Sequence, residues 1–165
     1  MKRKHMSPLE FADMTVEMVV GRDVMAEITR HRHASFAIQS QRYVRDNKSG
    51  DICFIRPDFW VPQEEKLDVR RWCASRKWEE SRRMDEDEYR YYLDECSLTP
   101  QDARVGLPNS VATVIVMKAN LREWLHIMDL RSGGGAYPKM QEVMKLLLQQ
   151  AAHLYPTVFG KEKDE

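Results

Sequence analysis

The sequence predicts an α+β fold, an antiparallel or mixed sheet with flanking helices. Two runs, residues 11–20 and 111–117, are rich in β-branched and apolar side chains and read as strands. Three longer stretches, 64–96, 120–131 and 137–153, have a helical pattern. These elements follow one another without a repeating strand–helix unit, which argues against a doubly wound parallel sheet. A chain of 165 residues is long enough to bury one core, so residues 1–160 are expected to form a single domain and 161–165 a charged tail.

Taken in order, the strand of residues 11–20 ends at Gly21, and a helix is expected from Arg22 to about His33, with Val24, Ile28 and His31 on one face. Residues 35–43 hold many hydroxyl and amide side chains and read as a loop or irregular strand, followed by a turn at Asp46–Asp51 and the short apolar run Ile52–Ile55. The helical region Glu64–Cys96 is charged and aromatic, with a break expected near Met84–Asp85. Its Trp72, Trp78, Tyr89, Tyr91 and Tyr92 are at the spacing of core or interface residues rather than a base-stacking surface. Ser97 or Thr99 can cap a short helix that opens on Pro100 and runs through Arg104, and Leu107-Pro108 stops it. The second strand leads into a helix from Asn120 to Arg131, whose buried stripe is Leu121, Trp124, Leu125 and Met128. Ser132 and the glycines through Gly135 end that helix, and a last amphipathic helix runs from about Tyr137 to His153.

Acidic and basic residues balance at 26 each, so no global field draws the chain to nucleic acid or membrane, and an anion site has to be built locally. No apolar run approaches the ~20 residues that span a bilayer. Cys53, Cys73 and Cys96 form an odd set without metal-ligand spacing and read as free thiols. No metal site and a cytoplasmic location are the expectation.

The chemistry concentrates between Arg30 and Tyr43. Arg30, Arg32 and Arg42 stand with His31, Ser35 and Ser40 inside thirteen residues. Guanidinium groups grip phosphate oxygens bidentately and keep their charge, and hydroxyls complete such a cradle. A basic cluster at a helix C-terminus also complements the helix dipole. That accounts for Arg30 to His33, but not for the polar run of Ser, Gln, Ser, Gln and Arg that follows. Between two arginines, His31 is expected to keep a neutral ring.

This segment resembles the signature of the flavin-dependent thymidylate synthases, RHRxxSxNxxSxR. Arg30, His31, Arg32, Ser35, Ser40 and Arg42 match, and Ala37 stands where the pattern has Asn. Three further blocks follow the family in order. His5 to Glu10 resembles the element GHxSPxEH, with Phe11 in place of its last His. Ala103-Arg104 with Leu107-Pro108 fits "AR..LP", and Asn120 to Arg131 fits the helix "N.R....f..lR". The tens of residues that usually precede the His5 element are not matched, so the resemblance is to a short form.

The resemblance implies the family's fold, FAD as cofactor, NADPH and methylenetetrahydrofolate as co-substrates, and conversion of dUMP to dTMP. It also implies a homotetramer with active sites between subunits. On it, His5, Ser7, Arg30, His31, Arg32, Ile38, Asn120, Arg122 and His126 would meet the flavin. Glu27, Arg30, Gln39, Ser40, Gln41, Arg42, Arg104 and Arg131 would hold the nucleotide, and His31 and Tyr43 would lie near folate. Arg131 and Ser40 carry the catalytic expectation. A permanent cation beside N3 and O2 of the uracil would favour the ionised ring, electron-rich at C5. Without the resemblance, Arg131 reads equally as a helix-end cation, Ser40 as a local side-chain to backbone bond, and Arg122 and His126 as a solvated face. The loss of an amide at Ala37 removes one hydrogen bond, worth about 1 kcal/mol if water replaces it. Two rivals remain at this stage. One is a relative that methylates or hydroxymethylates another pyrimidine nucleotide such as UMP. The other is a non-catalytic nucleotide- or RNA-binding module, which would show strong salt dependence.

Overall fold

The structure is a computed structural model that describes residues 6–41, 52–66 and 68–160. Three strands, β1 (Asp13–Gly21), β2 (Ala34–Ile38) and β3 (Ala112–Asn120), form one sheet in the order β1-β3-β2. Backbone bonds at the two ends of β3 fix its direction against β1. Leu121 donates to Ala12 at one end and Arg22 to Asn109 at the other, an antiparallel register. Helices α1 (Arg22–Ile28), α2 (Val69–Asp94), α3 (Pro100–Ala103), α4 (Leu121–Ser132), α5 (Pro138–Leu154) and α6 (Pro156–Phe159) complete the α+β fold expected from the sequence. Among the described residues no helix is long and apolar enough to cross a membrane.

The chain forms two compact units. The first comprises Met1–Met18, Ala26–Ala37 and Ile115–Glu165. Its strands alternate as a half-buried sheet requires: Met14 and Met18 of β1 point inward, as do Ile115, Met117 and Ala119 of β3. Asn120 caps α4, its side-chain oxygen accepting the Glu123 N–H at 2.8 Å. The helix buries Leu121, Trp124, Ile127 and Met128. Leu125, expected on the buried stripe, is only half-buried, and Ile127 takes that place. Trp124 is fully buried, and its indole N–H donates to the Met14 carbonyl at 2.9 Å, tying α4 to β1. Pro138 opens α5, where Met140, Met144, Leu147 and Ala151 recur at helical spacing on the inner face.

The second unit comprises Val19–Met25 and Ile38–Val114. Its core gathers Ile52, Tyr89, Leu93, Ala103 and Val111. Asp68 caps α2 by accepting from the N–H groups of Arg70 and Arg71. The aromatic and basic residues of this helix clamp the segment that precedes it. The Trp72 indole N–H donates to the Gln63 carbonyl at 3.0 Å, the Trp60 indole to Glu79 at 2.8 Å, and Arg76 to the Val61 carbonyl at 2.7 Å. The buried Ser75 hydroxyl accepts the Val61 N–H at 2.9 Å. Thr99 caps α3, its hydroxyl accepting from the Asp102 N–H.

Three element boundaries differ from the sequence expectation. The helix after Gly21 stops at Ile28, because the N–H groups of Arg30 and His31 bond three residues back, to Glu27 and Ile28, and lead the chain out of α geometry. No break occurs at Met84–Asp85. Met84 is exposed and Asp85 pairs with Arg82 at 2.7 Å along the same helix, so α2 runs unbroken for 26 residues. Of the stretch 35–43, read as a loop or irregular strand, the first part belongs to the strand Ala34–Ile38. The expected turn at Asp46–Asp51 and the tail at 161–165 lie outside the described residues.

Candidate active site

In the first unit, the turn after α1 and the polar side of α4 build one cluster around Arg131. The Arg131 Nε–H donates to His31 Nε2 at 3.0 Å. One Nη1 hydrogen goes to the Glu27 carboxylate at 3.0 Å and one Nη2 hydrogen to the Glu27 carbonyl at 2.9 Å. A guanidinium has five N–H groups, so among the described residues two remain without a partner. The charge of Arg131 is thereby fixed in direction as well as in sign.

His31 is buried. Its Nδ1 faces the Glu123 carboxylate at 3.8 Å, and its ring meets the edge of His126 with centroids 6.4 Å apart. Burial pushes its pKa below the ordinary histidine value. The Arg131 charge adds to that, Glu123 works against it and His126 adds a smaller lowering. The ring is therefore neutral near pH 7, as expected, but the causes are burial and Arg131 rather than Arg30 and Arg32. Because Nε2 accepts from a guanidinium that can only donate, the proton of the neutral ring sits on Nδ1.

A cleft of about 390 Å³ lies beside β2 and the end of β3. Arg32, Ser35, Lys118 and Asn120 line it, together with Glu10, Asp13 and Phe11. Lys118 is paired with Asp13 at 3.1 Å and Arg122 with Glu10, so their charges are met within the chain. The exposed guanidinium of Arg32 finds no partner among the described residues and is the cation left over in this cleft. Arg30 is likewise exposed and unpaired among them. Asn120 spends its amide oxygen on the helix cap but keeps its NH2 group. Such a donor set, one free guanidinium with hydroxyl and amide groups, fits an anionic group such as a pyrophosphate.

The sequence-derived residues thus fall into separate groups. Glu27, His31, His126 and Arg131 form the cluster, and Arg32 and Asn120 the cleft. Ser7 is exposed in a single 3-10 turn, Ser7–Glu10. Arg122 and His126 share the exposed side of α4. In the second unit, Gln39 bonds β3 twice, its N–H donating to the Val114 carbonyl at 2.9 Å and its side-chain oxygen accepting the Val114 N–H. Gln41 is buried, Ser40 and Ile38 are exposed, and Arg104 is half-buried at the start of the turn after α3. His5, Arg42 and Tyr43 lie outside the described residues. Sequence reasoning missed Glu123 and the pairings of Glu10 and Asp13. Glu123 carried only the ordinary signal of an acid in the first turn of a helix. All three cysteines are exposed free thiols, and among the described residues no group could hold a metal ion.

An α+β fold that carries an anchored arginine, a neutral histidine and an open cleft with one unpaired guanidinium among the described residues suits an anionic ligand. The chain belongs to the thymidylate synthase complementing proteins, the flavin-dependent thymidylate synthase family, whose model matches residues 1–157. It is 29% identical to the flavin-dependent thymidylate synthase of Haloarcula marismortui over 98% of this chain and 71% of that one. It is 31% identical to the corresponding enzyme of Halobacterium salinarum over 95% of this chain and 70% of that one. Its fold matches the crystal structure of Thymidylate Synthase X from Helicobacter pylori, determined with FAD and dUMP. That match has a TM-score of 0.65 at 22% identity and covers 96% of this chain and 78% of the other.

Proposed function

We propose that this protein converts dUMP to dTMP, taking its one-carbon unit from methylenetetrahydrofolate and its reducing equivalents from NADPH through FAD. Family membership supports the reaction class. The observation that carries the reading is the geometry of Arg131. Among the described residues two of its N–H groups have no partner, while Glu27 and a neutral His31 hold the rest.

When bound and reduced, FAD supplies the reducing chemistry, and the chain supplies positioning and charge. Arg32, with the hydroxyl of Ser35 and the NH2 group of Asn120, would hold the cofactor's anionic part in the cleft. Arg30, His31 and His126 would meet the cofactor with them. Ser7, Ile38 and Arg122 complete this set on the family pattern, as does His5. Arg131 donates to the uracil at N3 and O2 and favours its ionised form, which raises electron density at C5. Glu27 orients Arg131 and keeps one carboxylate oxygen for the nucleotide. On the family pattern, Arg104, Ser40, Gln39, Gln41 and Arg42 would supply further nucleotide contacts, with a catalytic part for Ser40. Tyr43 and His31 would lie toward folate. We further read residues 1–160 as one functional domain in a cytoplasmic homotetramer whose active sites lie between subunits.

The absorption spectrum of the purified protein tests the cofactor. The reading predicts the yellow bands of oxidised flavin, or their binding-induced shift when FAD is added, with a higher melting temperature. A colourless protein whose melting temperature FAD leaves unchanged contradicts it.

A further inference from the structure

The cluster around Arg131 contains a carboxylate with no assigned part in binding or chemistry. Glu123 lies in the first turn of α4, and its side chain is 14% exposed beside a His31 side chain that is 6% exposed. Its backbone N–H already serves the Asn120 cap, so the carboxylate is not needed to start the helix. What it faces is His31 Nδ1, at 3.8 Å.

The hydrogen-bond inventory gives this placement a consequence. Arg131 Nε carries a hydrogen and has no acceptor capacity. Its bond to His31 Nε2 survives only while Nε2 is bare, so the ring's single proton has to stand on Nδ1. A neutral imidazole in a polar environment has two tautomers of comparable energy, and the field at each nitrogen decides between them. Glu123 accepts and cannot donate when ionised, and it lies on the Nδ1 side. The tautomer with hydrogen on Nε2 would set two donors against each other and leave the bare Nδ1 lone pair facing a carboxylate.

We propose that Glu123 is a positioning residue for Arg131. It holds His31 in the Nδ1–H tautomer, and His31 then fixes the guanidinium through Nε. Glu27 holds the two Nη atoms, and among the described residues His31 is the partner of Nε. Loss of the His31 bond leaves Arg131 free to pivot on Glu27. The groups facing the imidazole are Arg131, Glu123 and His126, all from α4, with Glu27 reaching it only through Arg131. This role rests on the thymidylate synthase reading for its effect on turnover, but not for its effect on the ring.

Nitrogen-15 NMR of histidine-labelled protein reads the tautomer directly, with FAD absent or present. In the unsubstituted chain, His31 Nε2 should show the shift of a bare ring nitrogen and Nδ1 that of a protonated one. In Glu123→Gln and Glu123→Ala the two shifts should move toward each other. The Arg131 Nε–H signal should exchange faster with water, and Glu123→Asp should restore much of the original pattern. Under substrate saturation, Glu123→Gln should lower kcat several-fold with little change in KM for dUMP or in bound flavin. An unchanged His31 tautomer in both Gln and Ala variants overturns the proposal, as does a shifted tautomer with unchanged kcat. If the unsubstituted protein has no turnover at all, the thymidylate synthase reading fails. The tautomer and the Arg131 signal then still decide whether Glu123 acts through His31.

Discussion

Arg131 reaches the α1 turn across 100 residues of sequence, and its three hydrogen bonds there explain why a helix-end arginine is more than a dipole complement. On the proposed reading, replacing it with alanine removes a donor to the uracil, an effect typically worth about 100-fold or more in kcat. Turnover of Arg131→Ala should therefore fall by that order while flavin content, read by absorbance, changes little. Equal loss of both would remove the role given to this residue. His31 makes a second prediction. Its folded pKa is below the unfolded one, so the unfolded chain binds a proton that the folded chain refuses. Stability is thus unaffected above the ordinary histidine range and is lost as pH falls from there through the folded pKa. Thermal melts should show a steeper drop on acidification in the unsubstituted chain than in His31→Asn, which cannot titrate. Parallel curves would mean that His31 does not titrate differently on folding. At this scale the sequence showed which side chains carry charge, but not their pairings. The neutrality of His31 was legible from its basic neighbours. That burial and then Arg131, rather than Arg30 or Arg32, enforce it was not, because both depend on long-range packing.

The helix and strand elements were legible wherever one face is buried and the other solvated. β3 and α4 meet at Asn120, where the period changes from two to 3.6 and a capping residue marks the change. The ends of α1 and α2 were harder for opposite reasons. Val24, Ile28 and His31 are all buried, so their spacing mimicked a helix that the backbone abandons after Ile28. In α2 the charges near Met84 looked like a break, whereas their ion pairs along the helix let it continue. The aromatic residues around it hold a preceding segment of irregular backbone, a use that helical periodicity does not announce. The cap made by Asn120 can be separated experimentally from its proposed flavin contact. Asn120→Ala loses the cap and should lower stability by about 1 kcal/mol in denaturant unfolding without flavin, while Asn120→Asp should keep it. A full-strength Asn120→Ala protein would show that the cap contributes nothing.

For the whole molecule, neutral net charge argues against a general polyanion binder and leaves any anion site to local groups such as Arg32. The proposed tetramer with shared sites would make activity depend on assembly. Specific activity should fall on dilution in step with the loss of tetramer seen by light scattering, and an activity constant down to the monomer would rule shared sites out. The family was legible at this scale because its four sequence blocks span the chain, each with its own residue chemistry. Substrate choice was not, since the phosphate and ring contacts expected here suit dUMP and UMP alike. The measurement that bears most directly on the account is tritium release from C5-labelled dUMP with FAD, NADPH and methylenetetrahydrofolate. The account predicts release that needs all three, exceeds that from labelled UMP, and collapses in Arg131→Ala. No release from dUMP by protein shown to hold FAD, or faster release from UMP, would contradict it.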